Sequence, residues 1–536
     1  MRFFDRMRVI NGENFKKFFL QIELLVFKPV FLIIFFLISV YIHKFYRYGI
    51  SDHNEQIPII MRIIDGTYLI NDWFVNQNIN FSPRFFYSVL LSSVSNFLGI
   101  PFTYYVIYIA TIILLTYSIY RLSNLIFDNK IIPIVILILV LFLPRTSLGG
   151  NWLTGSILVP SSIAIPLILM AIYYSLYEKI KISYFILGLI TIIHPQLGVL
   201  ALSLIFISNI LIKYKEKEMI LNEIISFLVY YFPLGIIGLL PVIINSSNAS
   251  DFQIFETITY VRHPHHYCPF SFPLFDYFKF FIVFSLFLIA LSYNIKPKNT
   301  SIHIKILIII TLIIIYCLIG TIFVEIFPVL FIAKLQMFRL TPILILLMYI
   351  YIINFFYQIF VSKILDLFNN INLFYTKIKS SIYNNKNLTT LFIAIIILIN
   401  ITLIATVNYF PIANERTNTY SWIKNNTLNN SLFLIPPTIE DFRLGANRAI
   451  VVDWKAFPFN DESVLGWRER IEDVSNFARP ININRVQMGY NTLNESRILS
   501  LKDKYKFDYV IMMKEFKLNL SEVYSDKLFR IYQFEK

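Results

Sequence analysis

The chain has 536 residues, of which 57% are hydrophobic and 15% charged, with a formal charge of +14. An ordinary soluble domain is about 45–50% apolar and about 25% charged, and one soluble core stops growing near roughly 250–300 residues, so a single soluble domain is excluded. Two cysteines, Cys268 and Cys317, exclude a disulfide framework.

The first apolar run begins near Val26 and no small-residue cleavage site follows it, so it reads as a retained anchor. A helix needs about 20 apolar residues to cross the hydrocarbon core. Eleven candidate spans follow: 26–44, 102–121, 131–144, 158–178, 182–194, 196–212, 223–244, 276–294, 304–326, 338–360 and 389–409. The third and fifth are short. Pro195, after His194, forces a turn between the fifth and sixth. The long first loop, 45–101, holds a mixed polar and apolar stretch at 55–64, which reads as a surface helix, and an apolar, serine-rich stretch at 84–98, which reads as an interfacial helix. From about residue 411 the pattern changes. Short apolar runs begin at Leu432, Ala449, Phe507 and Leu528, with helical patterns at 416–427, 461–475 and 492–504. The expected fold is an all-α polytopic membrane domain (1–410) with about 11 transmembrane helices, followed by a small α/β domain (411–536).

The basic residues argue against nucleic acid as a partner. With the N-terminus in the cytoplasm, 20 lysines and arginines fall in cytoplasmic connections and 9 in the outer ones, the asymmetry that orients membrane chains. An odd number of crossings then places 411–536 outside the cell membrane. Trp73 and Trp152 fall in outer loops and Trp422, Trp454 and Trp467 in the tail, none in mid-span.

Candidate chemistry gathers at that outer face. Asp52 and Glu55 are three apart, so on a helix they share a face; the pair suits a general base or a divalent-cation site, and the plain alternative is a helix N-cap at Asp52. Arg262, His263, His265 and His266 crowd one loop. They suit an anionic phosphate or a metal, although no zinc-type spacing is present. His194 either caps its helix break or lines a cavity. Arg84 and Arg339 either snorkel or hold a lipid phosphate. Asp65 and Asp72 read as turn and cap residues. The segments 442–448, 452–455 and 467–470 set charges beside aromatics; they read as a binding edge toward the membrane domain or as solvated ion pairs.

The segment from Asp52-His53-Asn54-Glu55 through Ile64-Asp65-Gly66 to Asp72-Trp73 resembles the first outer loop of GT-C type glycosyltransferases. The following interfacial helix, second span and short third span agree with that family. His194-Pro195-Gln196, Arg262-His263-Pro264, Leu335-Gln336-Met337-Phe338-Arg339 and Arg448 through Lys455 resemble an uncharacterised bacterial group of the same architecture. The resemblance implies transfer of a sugar from a polyprenyl-phosphate donor in the membrane lipid to a glycan, lipid or protein acceptor, sometimes with a divalent cation. It implies Asp52 as base with Glu55 second, and His53, Arg84, His194, Arg262, His263, His265, His266 and Arg339 as substrate-binding residues. Here Asp52 is followed by His53 rather than by a second carboxylate. The competing classes are a transporter or flippase of lipid-linked sugars and a non-catalytic protein with an outer binding domain.

Overall fold

The computed structural model describes residues 46–127, 131–142, 147–245, 251–293, 300–370 and 415–534. In chain order the first loop holds α1 (His53–Ile64), α2 (Trp73–Asn78) and α3 (Phe85–Leu98). Then come α4 (Ile100–Phe127), α5 (Ile131–Phe142), α6 (Pro160–Leu176), α7 (Ile180–Ile193) and α8 (Pro195–Glu216). Next are α9 (Leu221–Ile244), α10 (Asp251–Glu256), α11 (Pro264–Tyr267), α12 (Leu274–Ser292), α13 (Thr300–Ile326), α14 (Leu330–Leu335) and α15 (Thr341–Asn370).

Among the described residues, six helical segments are long and apolar enough to cross a membrane: α4, α8, α9, α12, α13 and the run 330–359. They coincide with six of the expected spans. Only 17% of the α12 window and 22% of the α9 window is buried within the protein, against 83% for 330–359. Phe275, Phe278 and Phe281 of α12 are 66%, 59% and 66% exposed. An apolar rim of that size around a buried central helix needs lipid, so the chain is membrane-embedded and multi-pass.

The other expected spans fare differently. Runs 158–178 and 182–194 fall on helices of 17 and 14 residues, and at 1.5 Å per residue the second falls well short of a core about 30 Å thick; run 131–144 has 12 described helical residues and continues outside the described ones. The α6 helix is apolar because it is buried against protein, with Ile168, Leu169 and Ala171 fully covered. Hydropathy cannot distinguish that environment from lipid. Runs 26–44 and 389–409 lie outside the described residues, which therefore show six long apolar helices and do not test the count of eleven.

The α7 and α9 helices approach closely through glycine. A Cβ on Gly238 would lie 2.5 Å from the Thr191 carbonyl carbon, which is backbone and cannot yield cheaply. Gly238→Ala is therefore expected to destabilise the bundle by about 1–3 kcal/mol, read as a lower thermal midpoint in detergent. At Gly99, φ +75 sets the corner between α3 and α4.

The C-terminal unit contains α16 (Thr417–Asn426), β1 (Leu432–Leu434), α17 (Phe442–Ala446), β2 (Ala449–Ile450), α18 (Asp461–Val474), α19 (Ile483–Asn491), α20 (Glu495–Tyr505), β3 (Tyr509–Met513), β4 (Glu522–Ser525) and β5 (Phe529–Gln533). The sheet order is β2-β1-β3-β5-β4; β1 runs parallel to β2 and β3, and β5 antiparallel to β3 and β4. The expected small α/β unit is present, its sheet mixed, with β4 as an edge strand beyond the four apolar runs.

This unit covers the first loop. Arg443, 1% exposed, donates to Asp72 Oδ2 at 2.8 Å and to Asp453 Oδ2 at 2.7 Å. Asp72 also accepts from Ile450 N at 3.0 Å and, as the α2 N-cap, from Val75 N at 3.0 Å. Asp65 accepts from Thr67 N at 2.9 Å, the turn role expected of it. The 55–64 stretch is not a surface helix. His53 through Ile60 of α1 are all buried, because α3 packs on one side and the C-terminal unit on the other, with Ile59 and Ala456 in one cluster.

Candidate functional site

Asp52 occupies the N-cap position of α1, yet its side chain makes no capping bond. It instead accepts from Lys455 Nζ at 2.6 Å, and the same ammonium stands 3.9 Å from Glu55 Oε1. The three-residue spacing does put both carboxylates on one face, and that face meets a lysine 403 positions away. Glu55 Oε2 is also paired with Arg84 Nη1 at 3.3 Å. The Arg84 guanidinium lies 3.9 Å from the centre of the Phe459 ring.

Arg262, 7% exposed, ends a π-helical turn (Thr257–Arg262) after α10. It donates to the Lys455 carbonyl at 2.8 Å and lies 5.8 Å from the Trp454 ring centre, while its Nε is buried without a partner. The Arg339 Nε donates to Gln336 Oε1, and Gln336 Nε2 reaches the Tyr267 hydroxyl. Gln336 sits at φ +50, where α14 turns into a 3-10 segment, Met337–Leu340. A non-glycine residue in that region costs of order 1–3 kcal/mol, held here while its amide orients Arg339. Among the described residues, neither Arg262 nor Arg339 has a carboxylate within ion-pair distance.

The histidines divide by role. His266 Nδ1 donates to Gly149 O at 2.7 Å, and the His265 and His266 rings are 4.1 Å apart. His263 Nδ1 is buried and unpartnered. Burial, with Arg339 nearby, pushes His266 down to about 3; burial and Arg262 hold His263 well below and His265 below the usual range. All three are held toward the neutral form and offer directed N–H groups and lone pairs rather than charge. His194 caps α8, accepting from Leu197 N at 3.5 Å, while the charges of Arg84 and Arg339 reach it. His53 is a different case from a substrate ligand. Its Nδ1 accepts from Gly49 N at 3.1 Å and its Nε2 bonds Leu158 O at 3.0 Å. Both ring nitrogens are spent on backbone, and burial pushes its pKa down to about 4.

Burial alone would raise Asp52. The Lys455 ammonium outweighs it, with help from Arg84, and holds the carboxyl at about 2. The Asp52 side chain still keeps 37% of its surface exposed, against 7% for Glu55. Burial raises Glu55 in spite of Lys455 and Arg84. Lys455 is raised because Glu55 and Asp52 outweigh its desolvation.

The arrangement thus gathers Asp52, Glu55, Arg84, Arg262, Arg339, Lys455 and the 263–266 histidines from four separate stretches of chain. Lys455, Gln336 and Tyr267 were not among the expected site residues, although Lys455 closes the 452–455 segment read as a binding edge. Among the described residues no group of three His, Cys, Asp or Glu could hold a divalent cation, and both carboxylates already face cations.

The fold and this centre define a membrane-embedded multi-pass chain whose C-terminal α/β unit completes a charged site on the first loop. Residues 415–474, which carry α16 through α18 with Arg443, Asp453 and Lys455, match the family described as a domain of unknown function, DUF6798. No curated protein matched the chain.

Proposed function

We propose that the chain is a membrane glycosyltransferase of GT-C type, moving a sugar from a polyprenyl-phosphate donor to an acceptor at the outer face of the cell membrane. The observation that carries this reading is a pair of guanidiniums, Arg262 and Arg339, that have no carboxylate within ion-pair distance among the described residues. Asp52, Glu55, Asp453 and Glu440 act on Arg262 only from farther off, and its Nε is buried without a partner. A phosphate supplies the acceptors that both guanidiniums lack.

In this reading Arg262, Arg339 and the neutral histidines bind the donor phosphate and stabilise it as it leaves. Asp52, more accessible than Glu55, takes the proton of the acceptor hydroxyl, whose oxygen displaces the phosphate at the anomeric carbon. Lys455 then has two competing partners. Turning toward the phosphate releases Asp52, and burial makes the released carboxylate a stronger base. Glu55 remains paired with Arg84 and holds the cation frame.

The test is donor binding by the purified chain in phosphatidylcholine nanodiscs, with undecaprenyl phosphate as probe and Trp454 fluorescence as readout. Arg262→Gln with Arg339→Gln is expected to weaken binding by at least about 100-fold, since each charged hydrogen bond contributes roughly 1.5–3 kcal/mol. Undiminished binding by that double variant overturns the phosphate assignment.

A non-catalytic protein or a flippase of lipid-linked sugars, with the C-terminal unit as binding domain, is the second reading. It is favoured by the Asp52–Lys455 pair at 2.6 Å, which already satisfies the carboxylate. Under it, surface glycans survive removal of the Asp52 charge.

A further inference from the structure

A second concavity, of about 820 Å³, lies between the first loop and the C-terminal unit and shares no residue with the charged centre. Six side-chain amides line it, Asn71 and Asn76 from the first loop, Asn425, Asn426 and Asn430 from the end of α16 and the turn before β1, and Gln533 from β5, beside apolar Ile70, Leu428, Leu432 and Phe534. Among the described residues its charged lining is Lys506 and Asp508, which cancel.

The amides fall into two sets. Asn71 Nδ2 donates to Asn430 O at 2.6 Å, Asn76 Nδ2 to Ile70 O at 2.8 Å and Asn426 Nδ2 to Trp422 O at 2.8 Å. These bonds fix three side chains and leave their carbonyl oxygens as oriented acceptors. The side chains of Asn425, Asn430 and Gln533 make no hydrogen bond among the described residues, so they offer both donors and acceptors. Asp508 uses Oδ2 to accept from Leu432 N at 2.9 Å, which leaves Oδ1 available. Tyr505 and Tyr509 add aromatic carbon to the same lining.

The chemistry selects the ligand class. A phosphate or nucleic acid needs a cationic excess, and Lys506 is balanced by Asp508. A peptide inserting side chains needs apolar pockets, and the lining is mainly polar. Fixed amide carbonyls interleaved with free amide N–H groups complement hydroxyls, each of which donates one hydrogen bond and accepts others. We propose that this cleft binds a neutral oligosaccharide. The proposal requires no chemistry at Asp52 and does not rest on the transfer reading.

The test uses the full-length chain in an amine-oxide detergent, because maltoside headgroups would compete. Maltohexaose, cellohexaose and chitohexaose are titrated by calorimetry against the parent, Asn430→Ala with Gln533→Ala, and Asp52→Asn. At least one saccharide is expected to bind the parent. The double variant is expected to bind it at least about tenfold more weakly, from two lost hydrogen bonds, with an unchanged thermal midpoint. Asp52→Asn is expected to bind like the parent. Absence of binding by all three saccharides, equal binding by the double variant, or loss only in Asp52→Asn overturns the proposal.

Discussion

Asp52→Asn is expected to lower sugar transfer to cell-surface glycans by about 10²–10⁴-fold, the contribution of a positioned general base, while leaving donor binding largely intact. Asparagine keeps the shape and still accepts from Lys455, so the loss isolates the proton-accepting oxygen. Glu55→Gln acts through Arg84 and is expected to weaken donor binding as well. If both variants keep full transfer, Asp52 and Glu55 are not the base. Lys455→Met separates the linked roles through pH. The Asp52 carboxyl is held at about 2 against an ordinary value of 3.8. The pairing therefore contributes fully above the ordinary value and is lost as pH falls through about 2. Without Lys455 the burial that raises Asp52 is opposed only by more distant cations. The acid limb of the transfer profile is then expected to move to higher pH, with weaker donor binding. An acid limb that stays in place in Lys455→Met means that Lys455 does not control the base.

What the sequence disclosed depended on whether the physical signal was local. Asp52 and Glu55 share a helix face by spacing alone, and both side chains reach Lys455. The His194-Pro195 break follows from proline chemistry, and His194 does cap α8. Asp72 was legible as a cap, but its second partner, Arg443, lies 371 residues away and no periodicity encodes it. The same distance hid Lys455 as a site residue. The α1 helix misled because its polar residues face a protein interface rather than water: Gln56 accepts from the Tyr87 hydroxyl at 3.2 Å, and His53 bonds backbone. The α6 and α7 helices are apolar over only 17 and 14 residues, and sequence alone does not give their environment, because a protein core and a lipid core select the same side chains. The β4 strand escaped notice because Glu522 through Ser525 form a half-exposed edge without an apolar run.

Arg443→Ala is expected to be the most damaging single change for stability, by about 3–5 kcal/mol, the cost of breaking a buried ion pair from one side. Arg443 is bonded to two carboxylates that are 0% and 1% exposed, alone in this among the described residues. Its removal leaves both buried in a seam that joins α2, β2 and the segment supplying Lys455. The effect has a pH signature. Burial already raises the Asp453 carboxyl while Arg443 opposes it, so removing the guanidinium raises it further. A carboxyl with a raised folded pKa destabilises when ionised, and protonation lifts that penalty. The deficit of the variant is therefore expected to shrink as pH falls, and to be largest at neutral pH and above. Urea unfolding in detergent, followed by labelling of the free thiols Cys268 and Cys317, measures it. Adding Asp453→Asn should recover part of the loss at neutral pH but little at acid pH, where the carboxyl is already neutral. Asp72→Asn should recover less, because Asp72 also accepts from Val75 N and Ile450 N. If Arg443→Ala unfolds at the parental urea concentration at every pH, the seam does not hold the C-terminal unit on the first loop. The position of Lys455 over Asp52 would then need another support.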